Sequence, residues 1–319
     1  MGLLPMDLDI LPPSDDRVFK LILTSPDSKP VLMDLISSII GRKVVDVQHR
    51  GNELAPGDME EKAERLDVNC MIDDGTQIDL EMQASHIEED KDGEHQNLKG
   101  KGIYYLCDLH SSQSSKGVRR YDKLSKTYQV TFCSYTVFPN RKEYVNSFSL
   151  RHDVDNELLS DALWVVYVEL SKLQETIKKS VGTMSDLDKW AVFFQYASDP
   201  KYRENLNKVI DSKEELQMAG NLLMSISQDE HERAVFRSRR MYQSDLESNL
   251  ATAEDRGRKE GRIEGKIEGR IEGRIEGKIE GRKEEKRDLA RRLLSFGLPI
   301  NQIALYTELT ESEIRNLLS

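Results

Sequence analysis

Hydrophobic and polar positions change period several times along this chain, and each change marks an element. In SDDRVFKLILTS, Asp15 and Asp16 fall in a first helical turn, where the helix dipole favours acids. Val18, Phe19, Leu21, Ile22 and Leu23 then supply an apolar run. PVLMDLISSII predicts a second helix that ends at Gly41, a natural C-cap. KVVDVQHRG reads as a first strand, closed by Gly51-Asn52. Two strictly alternating segments follow. In AERLDVNCMI, Leu66, Val68, Cys70 and Ile72 oppose Arg65, Asp67, Asn69 and Met71. In TQIDLEMQA, Ile78, Leu80, Met82 and Ala84 oppose Gln77, Asp79, Glu81 and Gln83. Asp73-Asp74-Gly75 joins the two strands, and Gly75 suits the left-handed position that closes a three-residue loop.

Parity decides the register of this hairpin. With Ile72 paired to Thr76 across the three-residue loop, Leu66 faces Met82, Val68 faces Leu80 and Asp67 faces Glu81. A two-residue loop would set apolar residues of one strand beside polar residues of the other. The three-residue loop therefore opposes two carboxylates on one sheet surface, where like charges destabilise the pairing. A shared proton, a neighbouring Lys or Arg, or a divalent cation can offset that cost. Hard oxygen ligands suit Mg²⁺, which takes one or two carboxylates and keeps several waters. Such an ion assists phosphodiester hydrolysis. The plainer alternative is a solvated polar face on which Arg65 and Lys62 screen Asp67 and Glu81.

Further along, residues 155–250 are rich in helix formers, with WVVYVEL around Trp164 as a strand or buried helix and Asp186–Tyr196 as an amphipathic helix. GRIEGKIEGRIEGRIEGKIEG then repeats with a strict period of four. At 3.6 residues per turn its Ile stripe winds slowly around a helix, and such a period favours a right-handed supercoil if helices associate. Each Gly costs about 0.8–1 kcal/mol against Ala, and neighbours four apart carry like charges. The repeat is therefore a helix stabilised by self-association, or a charged spacer. DLARRLLSFGLPINQIALYTELTESEIRNLLS predicts three short helices, with Gly297 ending the first and Thr310-x-x-Glu313 boxing the last. Glu311–Leu318 has one basic residue and two acids, a poor match to phosphate, so a packing or oligomerisation module fits it better than a DNA reader.

Charge refines this picture. The 319 residues carry 46 Lys+Arg against 57 Asp+Glu, a net −11. Residues 1–253 hold −12 of it, residues 254–292 hold +3 and residues 293–319 hold −2. A broadly basic nucleic-acid coat is excluded, so any contact with DNA comes from local patches. Apolar stretches fall short of a bilayer span, and the start lacks a basic leader, so a cytoplasmic location is expected. Cys70, Cys107 and Cys133 fit neither a disulfide framework nor a zinc site and read as reduced core or strand residues. There is no Ser/His/Asp arrangement, phosphate loop or HExxH motif.

The run DRVFK, then ERLDVNCMIDDGTQIDLEMQ, then YY, SQ and a glycine-repeat tail resembles the PD-(D/E)XK nuclease family transposases, the recombination-promoting nucleases of bacteria. The matching residues are Asp16, Phe19 and Lys20; Leu66, Asp67 and Val68; Glu81, Met82 and Gln83; the tail from Gly257; and Lys62 at a basic position. The resemblance covers residues 14–137 well and residues 155–250 loosely. It implies an α/β restriction-endonuclease-like core, a four-stranded sheet flanked by helices in αβββαβ order. Residues 91–110 would form the helix behind the sheet and Tyr128–Val137 the next strand. The expected division is a core over 1–150, a helical extension packed on it over 151–253, the repeat as linker over 254–286, and a helix-turn-helix-like module over 287–319.

The resemblance also implies a metal-dependent DNA endonuclease linked to recombination or transposition, with Mg²⁺ or Mn²⁺ as cofactor. Asp67 and Glu81 would be the metal ligands, and Asp16 would complete the acidic group. The superfamily's usual lysine, two residues after the Glu, is here Gln83, which positions water by hydrogen bonds without supplying charge. Lys20, Lys62 and Lys101 are candidates for phosphate contact or for pairing with acids. Tyr104 and Tyr105 share a predicted helix, and His86 follows the Glu81 strand. DNA is the expected partner, with a homo-oligomer through the repeat and terminal helices. The competing reading is a non-catalytic interaction protein that keeps the nuclease-like fold.

Overall fold

Local signals place the first elements close to where the pattern predicts them. The computed structural model describes residues 3–51, 67–84, 96–113 and 120–317, so Lys62, Arg65, Leu66 and His86 lie outside the described residues. Helix α1 (Asp16–Thr24) is capped by Asp15, whose carboxylate accepts from the Arg17 and Val18 amides. Helix α2 (Lys29–Ile40) has Pro30 in its first turn and ends at Gly41, whose φ of 73° an L side chain rarely adopts.

Strand β1 (Val47–His49) is shorter than the segment predicted for it. It leads to β2 (Val68–Ile72) and β3 (Gln77–Gln83). In the turn, the Ile72 amide donates to the Thr76 carbonyl at 3.0 Å and the Gly75 amide to the Ile72 carbonyl at 2.9 Å. Gly75 has φ 84°. Val68 pairs with Leu80, Asn69 with Asp79 and Cys70 with Ile78, the register that parity requires. Helix α3 (Gln96–Ser111) and strand β4 (Thr127–Cys133) follow, completing the αβββαβ order. Strand β4 ends at Cys133, before Val137.

The sheet does not stop at four strands. β5 (Val145–Phe148) and β6 (Leu163–Glu169) extend it to six in the order β1-β2-β3-β4-β6-β5. β3, β4 and β6 run parallel, and the other neighbours are antiparallel. WVVYVEL resolves as β6. A continuous apolar run suits a strand covered on both faces, as central parallel strands are. Residues 151–253, expected as a helical extension and otherwise mostly helical, thus also contribute a strand, β6, to the sheet.

Even-numbered residues of β2, β3, β4 and β6 face the larger core. There α1, α2 and α4 (Asp186–Tyr196) pack on the sheet, and α5 (Arg203–Asp211) and α6 (Glu214–Gln228) close the layer. Phe19, Phe132 and Phe194 form its centre, with ring centroids 5.1–5.5 Å apart and tilted or edge-on. Odd-numbered residues face α3, where Leu106 packs with Cys133, Val165 and Tyr167. Cys70 and Cys133 are buried strand residues, whereas Cys107 is exposed on α3, contrary to its reading as core.

Two compact units are distinguished, residues 1–236 and 237–319. In the first, Arg17 pairs with Glu232 at 2.7 Å. Helix α7 runs from Glu230 to Ser295, so the first of the three short terminal helices is the end of this longer one. In the second unit α8 (Ile300–Thr307) and α9 (Glu311–Arg315) bury Ile303, Leu309 and Ile314 with Ala290. Gly297 ends α7 at φ 78°, and Thr310 and Glu313 form the capping box. Ile263, Ile267, Ile271, Ile275 and Ile279 are more than half exposed. Among the described residues no helix is long and apolar enough to cross a membrane.

Candidate active site

The polar side of β3 presents Gln77, Asp79, Glu81 and Gln83 because a strand sends alternate side chains to one face. The sequence allows a solvated surface there. In the fold it is an interior: Asp79 is 0% exposed and Glu81 4%. Helix α3 packs on this side of the sheet, against β4 and β6, and brings Lys101 to Glu81. Gly102 lets it approach closely, since a Cβ there would stand 2.8 Å from the Tyr167 hydroxyl oxygen of β6.

Asp67 sits immediately before β2, one step beyond the Val68–Leu80 pair. Its Oδ2 accepts a hydrogen bond from the Met82 amide at 3.1 Å, which ties it to the strand that bears Glu81. Burial raises the Asp67 carboxyl above its ordinary range, and the charge of Asp16 adds to the rise. The Met82 amide, Lys101 and Lys20 act in the opposite direction. Asp16 and Lys20, one turn apart on α1, are thus both electrostatic neighbours of Asp67. Asp16 Oδ1 accepts from the Arg17 amide at 2.7 Å.

Lys101, projecting from α3, places Nζ 2.7 Å from Glu81 Oε2. It also lies 5.1 Å from the Tyr105 ring centroid, within cation–π range. Burial opposes the ammonium, but the charge and hydrogen bond of Glu81 outweigh it, and Lys101 titrates above its usual value. Tyr105 is half-buried and Tyr104 exposed. Gln83 closes β3, half-buried, and its carbonyl accepts from the Ser134 amide at 3.1 Å.

Asp67, Glu81, Lys101, Asp16 and Lys20 therefore belong to one electrostatic neighbourhood built from β2, β3, α1 and α3. Among the described residues no group of three or more Asp, Glu, His or Cys is arranged to hold a metal ion. The Asp67–Glu81 pair still offers the hard oxygen donors that Mg²⁺ accepts, since that ion is content with one or two carboxylates and water. Sequence reasoning missed Asp79, Gln129, Gly102 and Tyr167. Asp79 and Gln129 are signalled by alternation alone, on the same side of β3 and β4 as Glu81. The contact of Gly102 with Tyr167 joins residues too distant in sequence for any local pattern.

No curated protein and no solved structure matches the chain. The family model described as PD-(D/E)XK nuclease family transposase matches residues 13–253, which include every strand and the acidic hairpin. By that match, on a mixed sheet whose element order agrees with it, the chain belongs to the PD-(D/E)XK nuclease family transposases.

Proposed function

We propose that this protein is a metal-dependent DNA endonuclease acting in recombination or transposition. The observation that carries the reading is the buried meeting of β2, β3 and α3. There a carboxyl held above its ordinary range by burial, Asp67, neighbours a Lys101–Glu81 pair at 2.7 Å. Asp67 and Glu81 are the residues that would hold Mg²⁺ or Mn²⁺. When bound, such an ion polarises a phosphoryl oxygen and lowers the pKa of its water.

The chain's own residues supply the rest. Lys101, kept protonated by Glu81, steadies charge that develops on a phosphate oxygen, the task the superfamily gives to the lysine replaced by Gln83. The Gln83 amide orients water. Asp16 adds negative charge beside Asp67, and Lys20 offsets it and reaches toward phosphate. In an acidic body these local cations set where the DNA backbone can approach. Lys62, lying outside the described residues, is a further candidate for that contact.

Supercoiled plasmid supplies the test. Nicking should require Mg²⁺ or Mn²⁺, stop with chelator, and stop in Asp67→Asn with circular dichroism unchanged. Undiminished nicking by that variant would refute the assignment. A second reading, a non-catalytic interaction protein, draws on the engagement of Glu81 by Lys101 and on there being, among the described residues, no group of three or more Asp, Glu, His or Cys arranged to hold a metal ion. Failure of Mn²⁺ to bind anywhere in the chain would favour it. In either case, the Ile residues exposed at every fourth position of α7 support self-association through that helix.

A further inference from the structure

One row of side chains inside the sheet has more polar atoms than partners. Asn69 of β2, Asp79 of β3 and Gln129 of β4 are register neighbours on adjacent strands. They point to the same side, toward α3, and are 5%, 0% and 0% exposed. Asn69 Oδ1, both Asp79 carboxylate oxygens, and Gln129 Oε1 and Nε2 make no hydrogen bond among the described residues. Buried polar groups are rarely left so, and five in one row are too many for a packing accident.

The orientation of Asn69 is fixed independently. Its Nδ2 donates to the Gly51 carbonyl at 3.1 Å, so its Oδ1 is the atom left for the row. Adjacent strands lie about 4.8 Å apart, a span that one small ligand between neighbouring side chains can bridge. The charge balance points the same way. Asp79 feels Glu81 and Asp67 as like charges, and Lys101, the cation that offsets them, is already paired with Glu81.

We propose that Asn69, Asp79 and Gln129 form an inner cation site, in which the Asp79 carboxylate and the two amide oxygens hold one divalent ion. A carboxylate flanked by amide carbonyls is a hard-oxygen donor set of the kind Ca²⁺ and Mn²⁺ accept. The site is separate from the Asp67–Glu81 pair. Asp79 lies two residues before Glu81, about 6.6 Å along the strand, and its register neighbours Asn69 and Gln129 differ from those of Glu81, which stands beside Thr131 on β4. Its ion would neutralise the buried acid beneath Glu81.

Mn²⁺ titration of the full chain, read by the electron paramagnetic resonance of the free ion, tests this. Wild type should bind two ions. Asp79→Asn, nearly the same shape without the charge, should bind one, and Asp67→Asn combined with Glu81→Gln should also bind one. An unchanged count in Asp79→Asn, or loss of all binding in the Asp67/Glu81 double variant, would overturn the inner site. A single wild-type ion that survives the double substitution but vanishes in Asp79→Asn would uphold the inner site and refute the outer one. Should Asp79→Asn fail to fold, Gln129→Met serves instead. It should weaken one of the two sites at least tenfold, and two unaltered affinities would overturn the proposal.

Discussion

Replacing Gly102 by Ala tests how α3 is held against the sheet. The added methyl would meet the Tyr167 hydroxyl oxygen at 2.8 Å, with Tyr167 Cζ and Val165 Cγ1 at 3.7 Å. The carbon contacts are ordinary, so the conflict lies with one oxygen. The Tyr167 ring is buried and packed edge-on against Phe138 and Phe148, so it does not swing aside at little cost. Overpacking of this kind costs about 1–3 kcal/mol. Ala is worth about 1 kcal/mol more than Gly in a helix interior, so Gly102→Ala should change stability by between about 0 and 2 kcal/mol on the unfavourable side. Removing the oxygen removes the conflict. Tyr167→Phe sacrifices a hydrogen bond to the Leu98 carbonyl that is already long at 3.5 Å. The double variant should therefore be more stable than Gly102→Ala alone. Urea denaturation of all four proteins closes a double-mutant cycle, with an expected coupling of about 1 kcal/mol or more. Plasmid nicking should fall in Gly102→Ala and recover in the double variant, because displacing α3 moves Lys101 away from Glu81. Zero coupling, or a Gly102→Ala protein more stable than wild type, would refute the close-approach argument.

Two further predictions rest on the same buried face. Lys101→Met should lower nicking about 10²–10³-fold, the loss typical of removing a charge-stabilising donor. It should also destabilise the fold by about 1–2 kcal/mol, well below a fully buried pair because Lys101 is partly exposed; nicking kinetics and denaturation check both, and unaltered rates would remove Lys101 from the chemistry. The Asp79 carboxyl is raised well above its ordinary range, chiefly by burial and then by Glu81. Its contribution to metal-free stability is therefore fully present below the ordinary carboxylate pKa and lost as pH rises through the folded value. In chelator, Asp79→Asn should gain on wild type in Tm as pH rises above the ordinary carboxylate range, and a difference that stays constant with pH would refute the raised Asp79 carboxyl.

The hairpin was legible because its information is local and redundant. Alternation over Val68–Ile72 and Gln77–Gln83, a glycine at the closing position, and parity all select one register. Asp15 and Gly41 announce the ends of their helices for the same reason. Other features depend on long-range packing. WVVYVEL is apolar throughout, and such a run has no period to separate strand from helix until β4 and β5 flank it. β5 has four residues, with Asn146 buried and Ser147 exposed, and carries almost no pattern. Asp79 looked like a surface acid because alternation tells which side a residue faces, not whether a helix covers that side. Lys101 was one of several lysines in sequence, and the packing of α3 on the sheet, against β4 and β6, selects it as the partner of Glu81.

The two faces of β3 carry unlike cargo. Ile78, Leu80 and Met82 enter the larger apolar core, while Asp79 and Glu81 enter the polar layer under α3. A one-residue insertion or deletion within this strand would exchange the two sets downstream, pushing carboxylates toward the phenylalanine centre and leaving greasy side chains around Lys101. A two-residue change would keep the faces in place yet slide Glu81 away from Asp67 by about 6.6 Å. Odd-length changes in β3 therefore cost the fold and the site together, whereas even-length changes separate the two and can leave a folded but inactive chain. Seven residues of one strand thus carry two requirements, for folding and for the proposed chemistry, that only even-length changes can pull apart.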